Sequence, residues 1–234
     1  RTVFLDAEHF YDGYVLDADY ALTALECGLN AGAAVVVLCD TNGGRLPSEI
    51  GAITRAVRDR FPEAVLGIHA HDDMGCAAAN TLTAMAEGAV QIQGTINGYG
   101  ERTGNANLST IIPIVQLKLG IELVSPAQLA TLTKLSHFVA ELANMAPQDS
   151  APFVGRNAFT HKGGMHADAE RKSKGSYEHI DPELVGNRTR ILVSEVSGRS
   201  SLLQKASQLG ISLDRDKPQT QQILRRVKEL ENEG

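Results

Sequence analysis

Two histidines separated by a single residue are the side chains of this sequence best suited to chemistry. His69 and His71 lie in the segment GIHAHDD, at the end of an apolar run, and Asp72 and Asp73 follow them directly. Residues i and i+2 of a β-strand point to the same face, so both imidazoles can reach one ligand. Because neutral imidazole is the commonest metal ligand, the pair is a candidate metal site, although a purely structural role fits the spacing equally well.

A second group of polar side chains lies in the segment NGYGERTGNANL. Within nine residues it combines Asn97, Glu101, Arg102 and Asn105 with three glycines. Glycine permits positive φ and a close approach of the backbone to a ligand, while the side chains offer oxygen ligands and a cation. The segment predicts a binding loop; the alternative is an ordinary glycine-rich turn.

Four strand-helix units must position these residues. Strand patterns over 2–9, 34–39, 65–71 and 90–96 are each followed by a helical pattern, over 17–30, from Pro47 onward, and over 74–87 and 106–119. Strands that alternate with helices every ~30 residues predict a parallel sheet with right-handed crossovers. The polar segments follow the carboxyl ends of the strands, where both TIM barrels and doubly wound sheets place their sites.

The pattern changes after Gly120. A long helix is predicted over 126–145, followed by a segment rich in Pro, Gly and polar residues and by a charged helix over 217–233. We interpret this part as a linker region with a small helical subdomain.

Composition limits the kinds of partner and compartment. The 234 residues are 43% hydrophobic and have a net charge of -6, which argues against general affinity for nucleic acid or an anionic membrane. No apolar run reaches the roughly 20 residues that span a bilayer, so a cytoplasmic location is expected. Cys27, Cys39 and Cys76 are odd in number and lie in apolar segments, which predicts buried free thiols. The sequence begins at Arg1 and continues directly into a strand pattern, as a chain cut inside a domain would.

Six ordered segments resemble one known family, that of the α-isopropylmalate, homocitrate and citramalate synthases, and are most similar to its citramalate synthase branch. The resemblance extends over about residues 2–209 and rests on DAEHFYDGY, LCDTNGG, HAHDDMG, GTINGYGERTGNANL, AFTHKGGMHADA and HIDPELVGNRTRILVSEVSGRS. It implies an α/β fold, a TIM (β/α)8 barrel. Residues 1–122 would supply strands five to eight with their helices, and residues 123–234 a mainly helical linker subdomain before a regulatory domain.

The resemblance also implies a metal-dependent reaction. Family members condense acetyl-CoA with a 2-keto acid such as pyruvate, and the product thioester is then hydrolysed. The divalent metal, Mg2+ or Mn2+ in preference to Zn2+, would be held by His69, His71, Asn105 and an Asp on strand one, which lies outside this chain. A homodimer is implied as well.

Further roles follow from matching positions. Glu8 corresponds to a residue of the catalytic acid/base network, and His166 to a linker histidine that reaches over the barrel as general base or activates water. Thr41 corresponds to a hydroxyl that bonds the keto-acid carboxylate, and Asn97 and Glu101 are expected to contact substrate. Structural explanations remain for each: a loop cap for Glu8, a turn residue for Thr41 and a surface position for His166.

Three alternatives accompany this interpretation. A 2-isopropylmalate synthase would use 2-ketoisovalerate, and a lyase of the hydroxymethylglutaryl-CoA type would cleave a tertiary alcohol. The third alternative is an inactive half-barrel that pairs through its exposed edges. The basic segment 171–175 is a candidate contact for CoA phosphates, or an ordinary solvated loop.

Overall fold

The computed structural model divides the chain into two compact units, residues 1–119 and 120–234. It describes residues 1–161, 173, 175–191, 206, 211, 213 and 218–232. His166 and most of the basic segment 171–175 lie outside the described residues. Within the described part, no helix combines the length and the apolar character that crossing a bilayer requires.

The first unit is a parallel four-stranded sheet with its helices. The strands run in the order β1 (Phe4–Ala7), β2 (Val35–Asp40), β3 (Leu66–Ala70) and β4 (Ala89–Gln93), and every neighbouring pair is parallel. The helices are α1 (Phe10–Leu16), α2 (Ala18–Asn30), α3 (Pro47–Arg60), α4 (Ala77–Ala86) and α5 (Leu108–Lys118). The predicted parallel sheet of strand-helix units is therefore confirmed; β1, β3 and β4 are shorter than their patterns suggested, and β2 has the expected length, shifted by one residue.

Local sequence explains most of these elements. All six residues of β2 are buried, as expected for a continuous apolar run between two layers. Asp17 begins α2 by accepting the Tyr20 N–H at 3.0 Å, and Pro47 occupies the first turn of α3, where its missing N–H costs nothing. On α2, Tyr20 is 74% exposed, and Leu25 provides the fully buried contact.

Helix α1 was not predicted, since FYDGYVL contains Gly13 and its N-cap residue, His9, makes no side-chain cap. The helix is held by burial of Phe10 and Tyr11 at its start, and the Tyr11 hydroxyl pairs with the Thr54 hydroxyl of α3 at 2.9 Å. Packing therefore stabilises this helix where local signals do not.

The sheet curves strongly. Gln93 of β4 donates from Nε2 to Oδ1 of Asp6 of β1 at 2.9 Å, although two strands separate them. Three inter-strand spacings of a flat sheet are about 14 Å, which exceeds the combined reach of these side chains. The face that holds Asp6 and Gln93 is therefore concave, while the other face packs against the helices in the main apolar core.

The second unit contains α6 (Pro126–Leu129), α7 (Leu132–Leu142), a two-stranded parallel ladder of β5 (Thr160–His161) with β6 (Arg190–Ile191), and α8 (Pro218–Asn232). The single helix predicted over 126–145 is wrong. The helix breaks at Ala130 and Thr131, where the Thr131 hydroxyl bonds the Gln128 carbonyl at 2.7 Å and Gly186 packs directly against the Ala130 carbonyl. The ladder had no counterpart in the sequence pattern.

The cysteines differ from the expected burial. All three are free, and Cys39 is buried, but Cys27 is exposed and Cys76 is partly exposed. Cys27 lies on the open side of α2, so its apolar sequence neighbourhood was a poor guide to burial.

Candidate active site

The candidate site lies on the concave face, at the carboxyl ends of the strands. Cα register pairs Cys39 with His69 and His69 with Gln93, so these side chains form one row across β2, β3 and β4. Asp6 belongs to the next row toward the amino ends, opposite Val37. The alternation of a parallel strand thus directs polar groups from three strands to one side.

His69 and His71 point to this side together, as predicted. Their ring centroids are 5.2 Å apart. His69 Nδ1 lies 2.9 Å from Oε1 of Gln93, while His71 lies just beyond the end of β3, where its backbone N–H donates to the Asp40 carbonyl at 3.2 Å. The two rings are therefore neighbours with different contacts: the His69 ring contacts Gln93 of β4, and the His71 ring lies at the carboxyl end of β3.

Asn105 is brought beside His71. The two residues form an isolated antiparallel bridge, and the Asn105 amide group donates from Nδ2 to the Tyr99 carbonyl at 3.2 Å. Among the described residues, His71 Nδ1 and Asn105 Oδ1 are buried without a hydrogen-bond partner. Buried polar atoms without partners are costly, and a cation is one partner that an imidazole nitrogen and an amide oxygen can share.

The donor set suits a divalent metal. Two imidazoles and one amide oxygen are accepted by Mn2+ and Zn2+, and Mg2+ favours the oxygen ligands together with water. In the described part of the chain, no group of three His, Cys, Asp or Glu side chains could hold a metal by itself. Among the described residues, His69, His71 and Asn105 are brought together and have side chains that fit such a metal.

Glu8 and Thr41 are in direct contact. They follow β1 and β2, and the Thr41 hydroxyl donates to Oε2 of Glu8 at 2.9 Å while accepting the His9 N–H at 2.8 Å. His9 adopts a positive φ of 55°. Since the hydroxyl proton of Thr41 is engaged by Glu8, Thr41 holds the Glu8 carboxylate in this structure.

The glycine-rich loop is tied down by Arg102. Its guanidinium donates to both carboxylate oxygens of Asp73, at 2.8 and 2.9 Å, and to the Thr41 carbonyl at 2.7 Å. These bonds connect the loops after β4, β3 and β2. The hydrogen bond from Arg102 also holds the pKa of Asp73 below its ordinary value.

Asn97 and Glu101 occupy different parts of this loop. Asn97 has a positive φ of 65°, and both its N–H and its Oδ1 face the Ser109 hydroxyl, at 3.2 and 3.4 Å. Glu101 is 79% exposed, with its carboxylate 3.8 Å from the Arg102 guanidinium. The structure thus links Asn97 to the start of α5, and it does not bring Glu101 into contact with the other predicted site residues in the part of the chain it describes.

Burial changes two titrating groups beside the site. Burial raises the pKa of the Cys39 thiol to about 12, helped by the Glu8 and Asp6 carboxylates, so the thiol stays protonated at neutral pH. Burial likewise raises the pKa of Asp40, which accepts the Asn80 side-chain amide at 3.2 Å.

Sequence reasoning missed Asp6 and Gln93. A signal existed in β4, where Gln91 and Gln93 alternate with Val90 and Ile92 although a strand buried on both faces should be apolar throughout. Asp6 gave no comparable signal, because its contact depends on the curvature of the whole sheet.

The fold and the site define an α/β protein whose ligand-type side chains sit at the carboxyl ends of parallel strands. The family model described as HMGL-like matches residues 11–139, and that of the homocitrate synthase post-HMGL domain matches residues 153–234. This chain belongs to the HMGL-like family, a TIM-barrel superfamily.

Relatives agree over the length of the chain. It is 53% identical to the (R)-citramalate synthase of Aquifex aeolicus, over 99% of this chain and 44% of that protein. It is 52% identical to the (R)-citramalate synthase of Synechocystis, over 100% of this chain and 44% of that protein. A 2-isopropylmalate synthase of Methylorubrum populi is 37% identical, over 92% of this chain and 42% of that protein. An HMG-CoA lyase structure from Acinetobacter baumannii has a TM-score of 0.48 at 24% identity, over 56% of this chain and 45% of that chain. The chain spans less than half the length of the curated relatives it matches.

Proposed function

We propose that this chain is the second half of the catalytic barrel, strands five to eight over 1–122, with the linker subdomain over 123–234, of an (R)-citramalate synthase. The observation that carries the proposal is the difference in similarity between two kinds of relative. Those named (R)-citramalate synthase are 48–53% identical, and those named 2-isopropylmalate synthase or probable 2-isopropylmalate synthase are 35–37% identical.

The proposed reaction joins acetyl-CoA and pyruvate. The acetyl methyl group loses a proton, its carbon bonds to the keto carbon of pyruvate, and the keto oxygen gains a proton to become a tertiary alcohol. Water then cleaves the thioester, which leaves citramalate and the free thiol of CoA. The enzyme would be an acyltransferase of isoleucine biosynthesis in the cytoplasm.

A divalent metal, Mg2+ or Mn2+, would be held by His69, His71 and Asn105 with a further ligand from outside this chain. Five buried side-chain atoms of the described residues lack a hydrogen-bond partner, and the two on His71 and Asn105 support this assignment. Bound there, the metal supplies Lewis acidity that makes the carbonyl carbon of a chelating 2-keto acid more electrophilic.

The remaining groups would handle protons and orientation. Glu8 holds the Thr41 proton at Oε2, so Oε1 is the oxygen that can exchange a proton with substrate. Thr41 orients that carboxylate, and its hydroxyl can turn to a substrate carboxylate when Glu8 is protonated. Asn97 and Glu101 would contact substrate, and His166 would act as base or activate water from the linker.

A chimera tests the function. The matching segment of the Aquifex aeolicus relative is replaced by this chain, and CoA release is followed with pyruvate and with 2-ketoisovalerate. We expect turnover with pyruvate in the presence of Mn2+. Equal or better turnover of 2-ketoisovalerate would replace the citramalate assignment by a 2-isopropylmalate one, and free acetoacetate as product would indicate a lyase.

Two matched variants of the chimera separate the site from the fold. His71→Ala should abolish turnover because it removes a metal ligand, whereas Cys27→Ser, an exposed position on α2, should leave turnover unchanged. The 234-residue chain by itself should form no citramalate, because the proposal places the fourth ligand and half of the barrel outside it. We also propose that the active enzyme is a homodimer.

A further inference from the structure

A hydrogen-bonded chain on the concave face joins three strands and ends on His69. Asp6 of β1 accepts from Nε2 of Gln93 at 2.9 Å, and Oε1 of the same Gln93 lies 2.9 Å from Nδ1 of His69. Asp6 and Gln93 are 87 residues apart in sequence and belong to the two outer strands of the sheet.

The direction of each bond follows from the chemistry of Asp6. An ionised carboxylate can only accept hydrogen bonds, so Gln93 must turn its NH2 group toward Asp6. The amide oxygen of Gln93 then faces His69. An oxygen cannot donate, so His69 must carry its proton on Nδ1, and in the neutral ring the lone pair is on Nε2.

We propose that Asp6 and Gln93 are positioning residues that fix the tautomer and ring orientation of His69, so that Nε2 is presented to the metal. The inference rests on the metal site of the proposed function. Metal-binding histidines commonly donate their second ring N–H to such a partner, which makes the imidazole a stronger ligand. In His71, by contrast, the unpartnered ring nitrogen is Nδ1, the atom that the proposed function assigns to the metal. The two histidines would therefore present different ring nitrogens, and the Asp6–Gln93 pair orients the His69 ring.

Neighbouring residues pack around the hydrogen-bonded side chains of Asp6, Gln93 and His69. The side chain of Cys39 lies beside His69 in the same row and is buried, and Gly67 leaves room for Gln91 one row below. A Cβ on Gly67 would collide with Oε1 of Gln91. The Gln91 side chain therefore lies over Gly67, and its Oε1 has no hydrogen-bond partner among the described residues, whereas Gln93 contacts His69.

The first experiment measures the tautomer in the metal-free 234-residue chain. Long-range 1H–15N correlation spectra of protein labelled with 15N-histidine separate protonated from unprotonated ring nitrogens, and loss of a signal in His69→Gln assigns the ring. In alkaline buffer, we expect the neutral His69 ring to carry its proton on Nδ1. Protonation on Nε2 would overturn the proposal.

The second experiment uses the chimera described above, which supplies the further metal ligand, and measures Mn2+ affinity by the electron paramagnetic resonance signal of the free ion. Gln93→Leu removes the acceptor and should weaken Mn2+ binding by about 10–100-fold. Gln91→Leu is the matched control, on the same strand and face without a bond to histidine, and should bind as the unmodified chain does. Equal binding by the Gln93→Leu protein and the unmodified chain, or equal losses in the two leucine variants, would overturn the proposal.

A paired exchange guards against misfolding of Gln93→Leu. In Asp6→Asn/Gln93→Glu, the amide and the carboxylate change places, so residue 93 still accepts from Nδ1 of His69 while residue 6 now donates. This variant should keep the Nδ1 proton and Mn2+ binding; loss of both in a protein with unchanged circular dichroism would count against the proposal. If the chimera carrying the unmodified chain bound no Mn2+, the metal site itself would fail, and the tautomer measurement would still decide the roles of Asp6 and Gln93.

Discussion

Substitutions at Gly104 and at Gly32 can be compared to measure the cost of a single steric clash. Both glycines have a positive φ, +103° and +93°, and both lie in the unit 1–119. A Cβ on Gly104 would collide with the carbonyl oxygen of Gly98, whereas a Cβ on Gly32 would meet nothing within 4 Å. Alanine at either position therefore adds the same backbone strain, but only at 104 does it add a clash.

The expected costs follow from these surroundings. Gly32→Ala should lower the free energy of unfolding by about 1–2 kcal/mol, the cost of a side chain in a left-handed conformation. In Gly104→Ala the Gly98 carbonyl must also move, and it now accepts the Asn105 N–H at 2.9 Å. Leaving that donor unpaired adds about 1–3 kcal/mol.

Urea unfolding of the two variants of the chain, and Mn2+ titration of the same two variants of the chimera, measure the difference. The midpoint for Gly104→Ala should be roughly 0.5–2 M lower than for Gly32→Ala, since typical urea slopes are about 1–3 kcal/mol per molar. Mn2+ affinity should fall only for Gly104→Ala, because Asn105 is the next residue. Equal midpoints together with equal Mn2+ affinities would refute the steric argument and the placement of Asn105 in the metal site.

Three further predictions concern titrating groups. Arg102→Gln removes the hydrogen bond that lowers the pKa of Asp73, so this pKa should rise toward about 3.9 in a carboxyl 13C titration; no change would contradict the contact. Burial raises the pKa of Asp40 in the folded state above the ordinary value of about 3.9. Between these two values the folded state holds a proton that the unfolded state lacks, so the wild-type free energy of unfolding falls as pH rises through that window. Asp40→Asn should therefore be more stable than wild type at pH ~7, with the gap closing below about 3.9; a gap that stayed constant in urea midpoints across pH would refute this. Iodoacetamide at neutral pH should label exposed Cys27 and spare buried Cys39, whose pKa is raised to about 12; rapid labelling of Cys39 in the native chain, detected by mass spectrometry, would contradict its burial.

The parallel sheet could be predicted because its signals are local. Apolar runs such as Val35–Asp40 are buried on both faces, and each is followed by a helical pattern. The polar loops were expected at the carboxyl ends of the strands, and the structure places them there, with His71 beside Asn105 and Glu8 bonded to Thr41. Such contacts follow from strand order alone, once the sheet is parallel.

Other features depend on tertiary packing and had no local signal. Helix α1 lacks a side-chain cap and is held by Phe10 and Tyr11 in the core. The break between α6 and α7 depends on Thr131 and on Gly186, which packs against the Ala130 carbonyl and lies 55 residues after Thr131 in the sequence. A helical period within one segment contains no information about either contact.

The two faces of the sheet connect this fold to its chemistry. One face is apolar and packs against helices, while the other combines the small apolar cluster of Val35, Val37 and Cys39 with the polar chain of Asp6, Gln93 and His69. Next to this apolar cluster, hydrogen bonds between polar side chains are stronger than in water, so the direction of each hydrogen bond is strongly specified. Because β1, β3 and β4 each contribute one member of the polar chain, the orientation of the His69 ring depends on the curvature of the whole sheet. A substitution that flattens the sheet, even one far from β3, should therefore weaken metal binding before it unfolds the chain.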